Sequence, residues 1–375
     1  MQVYLDNAAT TPLHPAVIEV MHQVMTKDYG NPSSIHAHGR KARTLIEDAR
    51  KSVAEILKAS TGEIFFTSCA TESNNMALKR SVIDLGVQRI ISSKTEHPCV
   101  LNTLAEIKEE YPAVEITYLD VDGYGNIDYS QLDSLLSSGQ KTLVSLMHGN
   151  NEIGTVLDLQ QASDICATHD ALLHSDTVQT IGKLDIDLSQ TKLSFLSGSG
   201  HKIYGPKGIG IIYINNDNMI KSMIRGGGQE RDLRSGTENL YGIVGFAKAL
   251  ELLYHEREVH NQKTEALRQY FKTEAAKHIP VVQYNGNQDE RYLPHILNIS
   301  LPKTIKTDLI MFNLDISGIC ASAGSACSSG AERDSHVHEA IQSDPDRKNI
   351  RFSFSSQNTT DEIDYVISKL KDLID

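Results

Sequence analysis

Two apolar periods alternate along this chain. Residues 40–57 place Ala42, Leu45, Ile46, Ala49, Val53, Ile56 and Leu57 on one face at helical spacing, which predicts an amphipathic helix. Short apolar runs at 63–67, 89–92, 114–119, 142–147 and 171–176 read as strands. Helical stretches at 72–85, 98–111, 128–136 and 158–169 separate them. This order predicts a mostly parallel sheet covered by helices. A short strand at 3–6 and a helix at 15–25 precede it, and a long helix runs from about 241 toward 279. Beyond 281, short strands at 296–301 and 349–354 mix with helices, and Thr359-Thr360-Asp361-Glu362 reads as a capping box opening the last helix. Residues 15–255 are therefore expected to form a large α/β domain. Residues 1–14 and 256–375 are expected to form a smaller α+β domain.

Composition narrows the class. With 375 residues, 40% hydrophobic and 22% charged, the chain is long for one core and ordinary for a globular protein. A net charge of −12 argues against a general binder of nucleic acid or membrane surfaces. The first residues lack a basic segment followed by an apolar one, so no signal peptide is expected, and no apolar run is long enough to span a bilayer. Five scattered cysteines, with no C-x-x-C, fit free thiols in a reducing cytoplasm.

The candidate chemistry sits where strands end. Ser197 to Gly208 carries His201 and Lys202 between two apolar runs, a strand–loop–strand setting. Burial there would lower the lysine's pKa and free its amine for a Schiff base; an ordinary loop lysine is the plainer reading. Ser68 to Asn75 puts small and hydroxylated residues between a strand and a helix, suited to an anion or simply to capping. Asp176 closes an apolar strand and could pair with a cation or cap a helix after Gln179. Together with His97, which follows another strand, these residues describe a site for pyridoxal 5'-phosphate: lysine for the aldehyde, carboxylate for the pyridinium, helix start for the phosphate, imidazole near the ring.

Three other stretches stand out. The loop from Gly226 to Thr237 could cradle a phosphate, lie at a subunit contact, or merely connect. Cys327 lies in a run of Gly, Ala and Ser that lets a thiol move, although an incidental thiol is the alternative. His36, His38, His336 and His338 lack a third ligand nearby, so no metal is expected.

Taken in order, the motifs resemble those of the NifS/IscS-like cysteine desulfurases, in the class V aminotransferase branch of the fold-type I pyridoxal phosphate enzymes. The similarity runs from Tyr4-Leu5-Asp6-Asn7-Ala8-Ala9-Thr10-Thr11-Pro12 through Asn31-Pro32-Ser33-Ser34, Ala70-Thr71-Glu72-Ser73-Asn74-Asn75 and Asn150-Asn151-Glu152-Ile153-Gly154. It continues through Ser199-Gly200-His201-Lys202 and Arg234-Ser235-Gly236-Thr237 to Gly324-Ser325-Ala326-Cys327.

The resemblance implies roles. Lys202 would carry the cofactor as an aldimine and move protons. His97 would stack on the pyridine ring and Asp176 would pair with its nitrogen. Asn151 and Gln179 would reach the ring hydroxyl. Ala70, Thr71, Ser199 and His201 would bind the phosphate, joined by Thr237 from the second subunit of a homodimer. Asn31 and Arg351 would receive the carboxylate of L-cysteine. Cys327 would take its sulfur as a persulfide, leaving L-alanine, and pass it to an acceptor for iron–sulfur cluster assembly or tRNA thiolation. A transaminase or lyase of the same fold, or a non-catalytic scaffold, are the other readings; the thiol counts against the former and the complete residue set against the latter.

Departures from the family pattern are Cys69 and Asp232, where glycine is usual, and Glu332-Arg333-Asp334 after the cysteine loop. The chain also stops soon after its last helix, without the extension that docks a scaffold in some relatives, which leaves the sulfur acceptor open.

Overall fold

A computed structural model describes residues 1–323 and 335–374. Cys327, the rest of the Gly324-to-Cys327 motif and Glu332-Arg333-Asp334 lie outside the described residues.

In chain order the first elements are β1 (Val3–Tyr4), α1 (Pro15–Lys27), α2 (Ala37–Leu57), β2 (Ile64–Thr67), α3 (Ala70–Ile83), β3 (Arg89–Ser93) and α4 (Pro98–Glu110). Then come β4 (Glu115–Leu119), α5 (Tyr129–Leu136), β5 (Thr142–Ser145), α6 (Leu159–Thr168), β6 (Leu172–Asp176), β7 (Phe195–Ser199) and β8 (Gly210–Ile214). The long α7 (Leu240–His278) leads to β9 (Gln283–Asn285), β10 (Ile296–Pro302), α8 (Ile310–Ile316), β11 (Ile319–Cys320), α9 (His336–Ala340), β12 (Arg347–Ser353) and α10 (Thr360–Ile374).

Seven strands form one sheet in the order β2-β8-β7-β6-β5-β3-β4. Only β8 runs against the others, being antiparallel to both β2 and β7. The expected mostly parallel sheet is therefore present. The C-terminal ends of β2, β3, β5, β6 and β7 all reach one edge, where ligands bind in open α/β sheets. The near-complete burial of these strands follows from helices packed on both faces.

A second core gathers around the antiparallel sheet β12-β10-β9 and the parallel pair β1-β11. Helix α7 serves both cores. Leu240 to Leu253 pack on the large sheet, whereas Leu267, Phe271 and Ala275 enter the second core. The final helix opens as expected: Glu362 N donates to Thr359 Oγ1 and Thr359 N donates to Glu362 Oε2.

Some boundaries differ from the pattern. Helix α2 begins three residues earlier than its apolar face suggests, because the His36 imidazole accepts from Gly39 N at 3.2 Å and caps it. Strand β5 ends at Ser145 rather than 147, where Met147 N turns away to the Glu96 carboxyl. No helix follows Gln179; residues 178–183 form turns. Asp176 Oδ1 accepts from Val178 N there, so it braces a turn rather than capping a helix. Cys69 sits at φ −174, extended backbone that needs no glycine. Asp232 has φ +66, in the left-handed region that glycine adopts without strain.

Candidate active site

The strand ends enclose a cleft with about 200 Å³ of accessible space, open to solvent. Ala70, Thr71, His97, Asn151, Asp176, Gln179, Ser199, His201, Lys202 and Arg351 all line it. Ten positions between residues 70 and 351 thus meet in one place.

Lys202 leaves the end of β7 in a short 3-10 turn. Its Nζ donates to the carbonyls of Ala8 and Ala9 at 2.7 and 2.8 Å. The opening Asn-Ala-Ala-Thr-Thr stretch is what holds this turn. Thr11 binds the His201 carbonyl through N and Oγ1 and receives Tyr204 N. Farther back, Asn7 Nδ2 donates to Ser353 O and Ala8 N donates to Ser353 Oγ on β12. Residues 7–11 therefore strap the lysine turn to the second core.

Asp176 is buried at the end of β6. Asn74 Nδ2 donates to its Oδ2 at 2.7 Å. Asn74 Oδ1 in turn lies 3.1 Å from His174 Nε2 and accepts from Ser197 Oγ. That oxygen can only accept, so His174 carries its proton on Nε2 and its Nδ1 accepts from Ser145 Oγ. Burial holds the His174 pKa down at about 4, so the ring is neutral. One amide on α3 thus anchors a carboxylate on β6, β7 and, through His174, β5.

His97 caps α4, its Nδ1 accepting from Cys99 N at 3.1 Å, which leaves the proton on Nε2. Burial, with Lys202 and His336 nearby, lowers its pKa against the pull of Asp176. Burial and Asp176 push the Cys99 thiol, which also lines the cleft, up to about 12, so it stays protonated. His201 Nδ1 lies 3.2 Å from Thr10 Oγ1; burial, Lys202 and Lys207 bring its pKa to about 4.

The start of α3 faces the cleft with no side-chain cap, since Cys69 bonds none of the first N–H groups. Its approach to the sheet depends on Gly210: a Cβ there would lie 2.7 Å from both the Cys69 carbonyl carbon and Gly198 O. Arg351 is buried on β12. Its Nη2 donates to Asp6 Oδ1 and its Nη1 to Asn151 O, both at 2.8 Å. Its Nε has no partner among the described residues.

Two expected site residues lie elsewhere in the chain. Asn31 occupies the exposed turn before α2, where its Oδ1 accepts from Ser33 N, and it does not line the cleft. Thr237 is exposed and lines a separate recess with Ser68, Arg234 and Gly236. The glycine-rich loop before it is pinned by a buried ion pair, Arg50 Nη1 to Glu230 Oε2 at 2.8 Å, with Phe66 N on the same carboxylate oxygen. The residue reading left Asn74, Asp6 and the Ala8 and Ala9 carbonyls without a role. Asn74 had a visible signal, as an amide on a helix face otherwise bound for the core.

These residues fit pyridoxal 5'-phosphate. A buried carboxylate, a helix start without a side-chain cap, an amine and an imidazole all line the same cleft. The geometry defines a cofactor-dependent enzyme of the fold-type I kind. The family model for class-V aminotransferases matches residues 3–366. A cysteine desulfurase IscS from Dictyoglomus turgidum is 41% identical, over all of this chain and 95% of its own length. A solved NifS-like protein superposes with a TM-score of 0.91 at 35% identity, with 99% of each chain covered. A structure described as SspA in complex with cysteine gives 0.81 at 32% identity, covering 96% of this chain and all of that one.

The chain belongs to the class-V aminotransferase family, among its IscS/NifS-like cysteine desulfurases. The cofactor of that family is pyridoxal 5'-phosphate. Among the described residues, no helix is long and apolar enough to cross a membrane, and no cluster of three or more His, Cys, Asp or Glu could hold a metal ion.

Proposed function

We propose that this protein converts L-cysteine to L-alanine and that Cys327 receives the sulfur. The observation that carries the reading is the convergence of Lys202, Asp176, His97 and Arg351 on one cleft. Arg351, fixed by Asp6 and Asn151, binds the substrate carboxylate and orients its α-carbon. Lys202 Nζ takes the α-proton. When bound, pyridoxal 5'-phosphate supplies a sink for the electron pair left at that carbon, and Asp176 favours the protonated ring nitrogen that makes the sink effective. The α3 start, with Ser199 and His201, holds its phosphate. Asn151 and Gln179 face its hydroxyl. Neutral His97 lies against the ring and has its proton on Nε2.

The sulfur step balances without an added oxidant. The thiolate of Cys327 attacks the substrate sulfur, the S–S bond forms as Cβ–S breaks, and the carbon takes a proton. Alanine leaves and Cys327 keeps a persulfide. An acceptor protein for iron–sulfur assembly or tRNA thiolation then removes the sulfur.

Thr237, outside the cleft of its own chain, reaches the phosphate in the second subunit of a homodimer, and Asn31 serves the substrate carboxylate. Residues 15–255 form the cofactor-binding unit, and residues 1–14 with 256–375 the smaller one. The four described cysteines are free thiols, in keeping with a cytoplasmic location.

The test is direct. Protein loaded with the cofactor is given L-cysteine and a thiol reductant. Alanine and sulfide in equal amounts support the reading. Amino-group transfer to a keto acid faster than alanine formation overturns it.

A further inference from the structure

Lys183 is the other lysine beside this site, and the chemistry above does not use it. It is only 2% exposed, and no carboxylate lies within ion-pair distance among the described residues. The ionisable groups around it and its neighbours are Lys202, His295 and His260, then Arg351 toward His295, and Lys263 and the Tyr204 phenol toward His260. None is a carboxylate.

The hydrogen bonds around Lys183 fix its proton. The Ala8 carbonyl receives Lys202 Nζ at 2.7 Å and Gln179 Nε2 at 2.9 Å. A carbonyl only accepts, so the Gln179 amide must point its NH₂ there and its Oε1 the other way. That oxygen lies 3.4 Å from His295 Nε2. Only a protonated Nε2 can approach it favourably. The same nitrogen lies 3.1 Å from Lys183 Nζ, so its one N–H is shared between that amine and Gln179 Oε1. An ammonium would set N–H against N–H, whereas a neutral amine offers a lone pair. Burial acts in the same direction and brings Lys183 down to about 7, and His295 well below its ordinary range.

We propose that Lys183 is held as a neutral amine and is a positioning residue for Lys202, acting through His295, Gln179 and the Ala8 carbonyl. When Lys183 gains a proton, His295 must accept instead of donate. Gln179 Oε1 then loses its donor, and the carbonyl shared with Lys202 loses its fixed amide. The role of Lys202 comes from the function proposed above; the charge of Lys183 does not depend on it.

The test compares full-length wild type with Lys183→Met, each with and without cofactor, by urea unfolding across pH. A neutral Lys183 binds its proton only on unfolding. Between pH of about 7 and about 10, the ordinary lysine value, wild-type stability therefore rises with pH relative to the variant. The difference corresponds to about one proton taken up by the unfolded chain. In the loaded protein, the cofactor absorption band shows a pH step near 7 in wild type that is lost in the variant. Lys183→Gln serves if the methionine variant does not fold. Equal proton uptake in wild type and variant overturns the neutral amine. A proton difference with an unchanged pH profile of the band overturns the positioning role. Alanine formation from cysteine, measured separately, tests the function itself.

Discussion

The two walls of the cleft are built differently. On the sheet side, Asp176, Asn74, His174, Ser145 and Ser197 form a closed web in which each buried polar atom has a partner. On the opposite side, Arg351 hangs from Asp6 and a backbone carbonyl, and its Nε has no partner among the described residues. A saturated web makes a rigid seat for a group that stays. A guanidinium with spare donors suits a carboxylate that arrives and leaves. The strap of residues 7–11 joins the two walls and carries the carbonyls that hold Lys202.

The largest effect should come at the junction. Lys202→Ala should lose the yellow colour and lower alanine formation by at least about 10²–10⁴-fold, the range for losing a positioned proton-transfer group. Retained turnover would show that the junction is not where the proton moves.

Arg351→Lys probes the open wall alone. It keeps the charge but not the planar fork. The KM for cysteine should rise about tenfold or more, a loss of about 1.5–3 kcal/mol in charge-assisted bonding, while kcat changes less. A fall in kcat and in kcat/KM by the same factor, with KM unchanged, would mean that Arg351 acts only in the transition state.

Asn74→Ala probes the saturated wall. It leaves Asp176 and His174 without their shared amide and should cost about 1–3 kcal/mol, read as a lower urea midpoint in the cofactor-free protein. A fall no greater than that of an exposed substitution would show that the web is not closed.

Acid acts mainly on histidines that burial keeps neutral. His148, His174, His201 and His260 are depressed to about 4, and burial holds His295 well below its ordinary range. The unfolded chain therefore binds more protons between about 4 and about 6.5, so stability should fall as pH falls through that window. Glu96 and Glu152, raised by burial, oppose part of this slope. Urea midpoints against pH measure the net slope. A flat profile would contradict the neutral imidazoles.

The reach of sequence differs between the same two walls. The sheet wall was legible because each of its parts sits at a strand end, where alternating periods and polar runs mark it. Nine of the expected residues that meet in the cleft follow strand ends of the large sheet, whereas Arg351, the tenth, was reached only by resemblance. Asn74 was less legible, since which carboxylate its amide meets depends on how α3 crosses β6. The open wall depends on contacts between distant parts of the chain, such as Asp6 with Arg351, 345 residues apart. No local pattern encodes such a pair. Lys183 escaped notice because a lysine after a glycine carries no mark of burial. Asn31 and Thr237 were legible only by resemblance, and the single chain places both away from the cleft.

The central claim is that Lys202 loosens the sulfur and Cys327 receives it. The most direct measurement is mass spectrometry of Cys327 peptides after one turnover with L-cysteine, in wild type and in Cys327→Ser. Wild type should carry one added sulfur atom at Cys327 and release one alanine. The variant should keep the yellow colour, carry no added sulfur and release no sulfide above background. Full sulfide release by Cys327→Ser, or added sulfur on Cys69 or Cys99 in place of Cys327, would contradict the account.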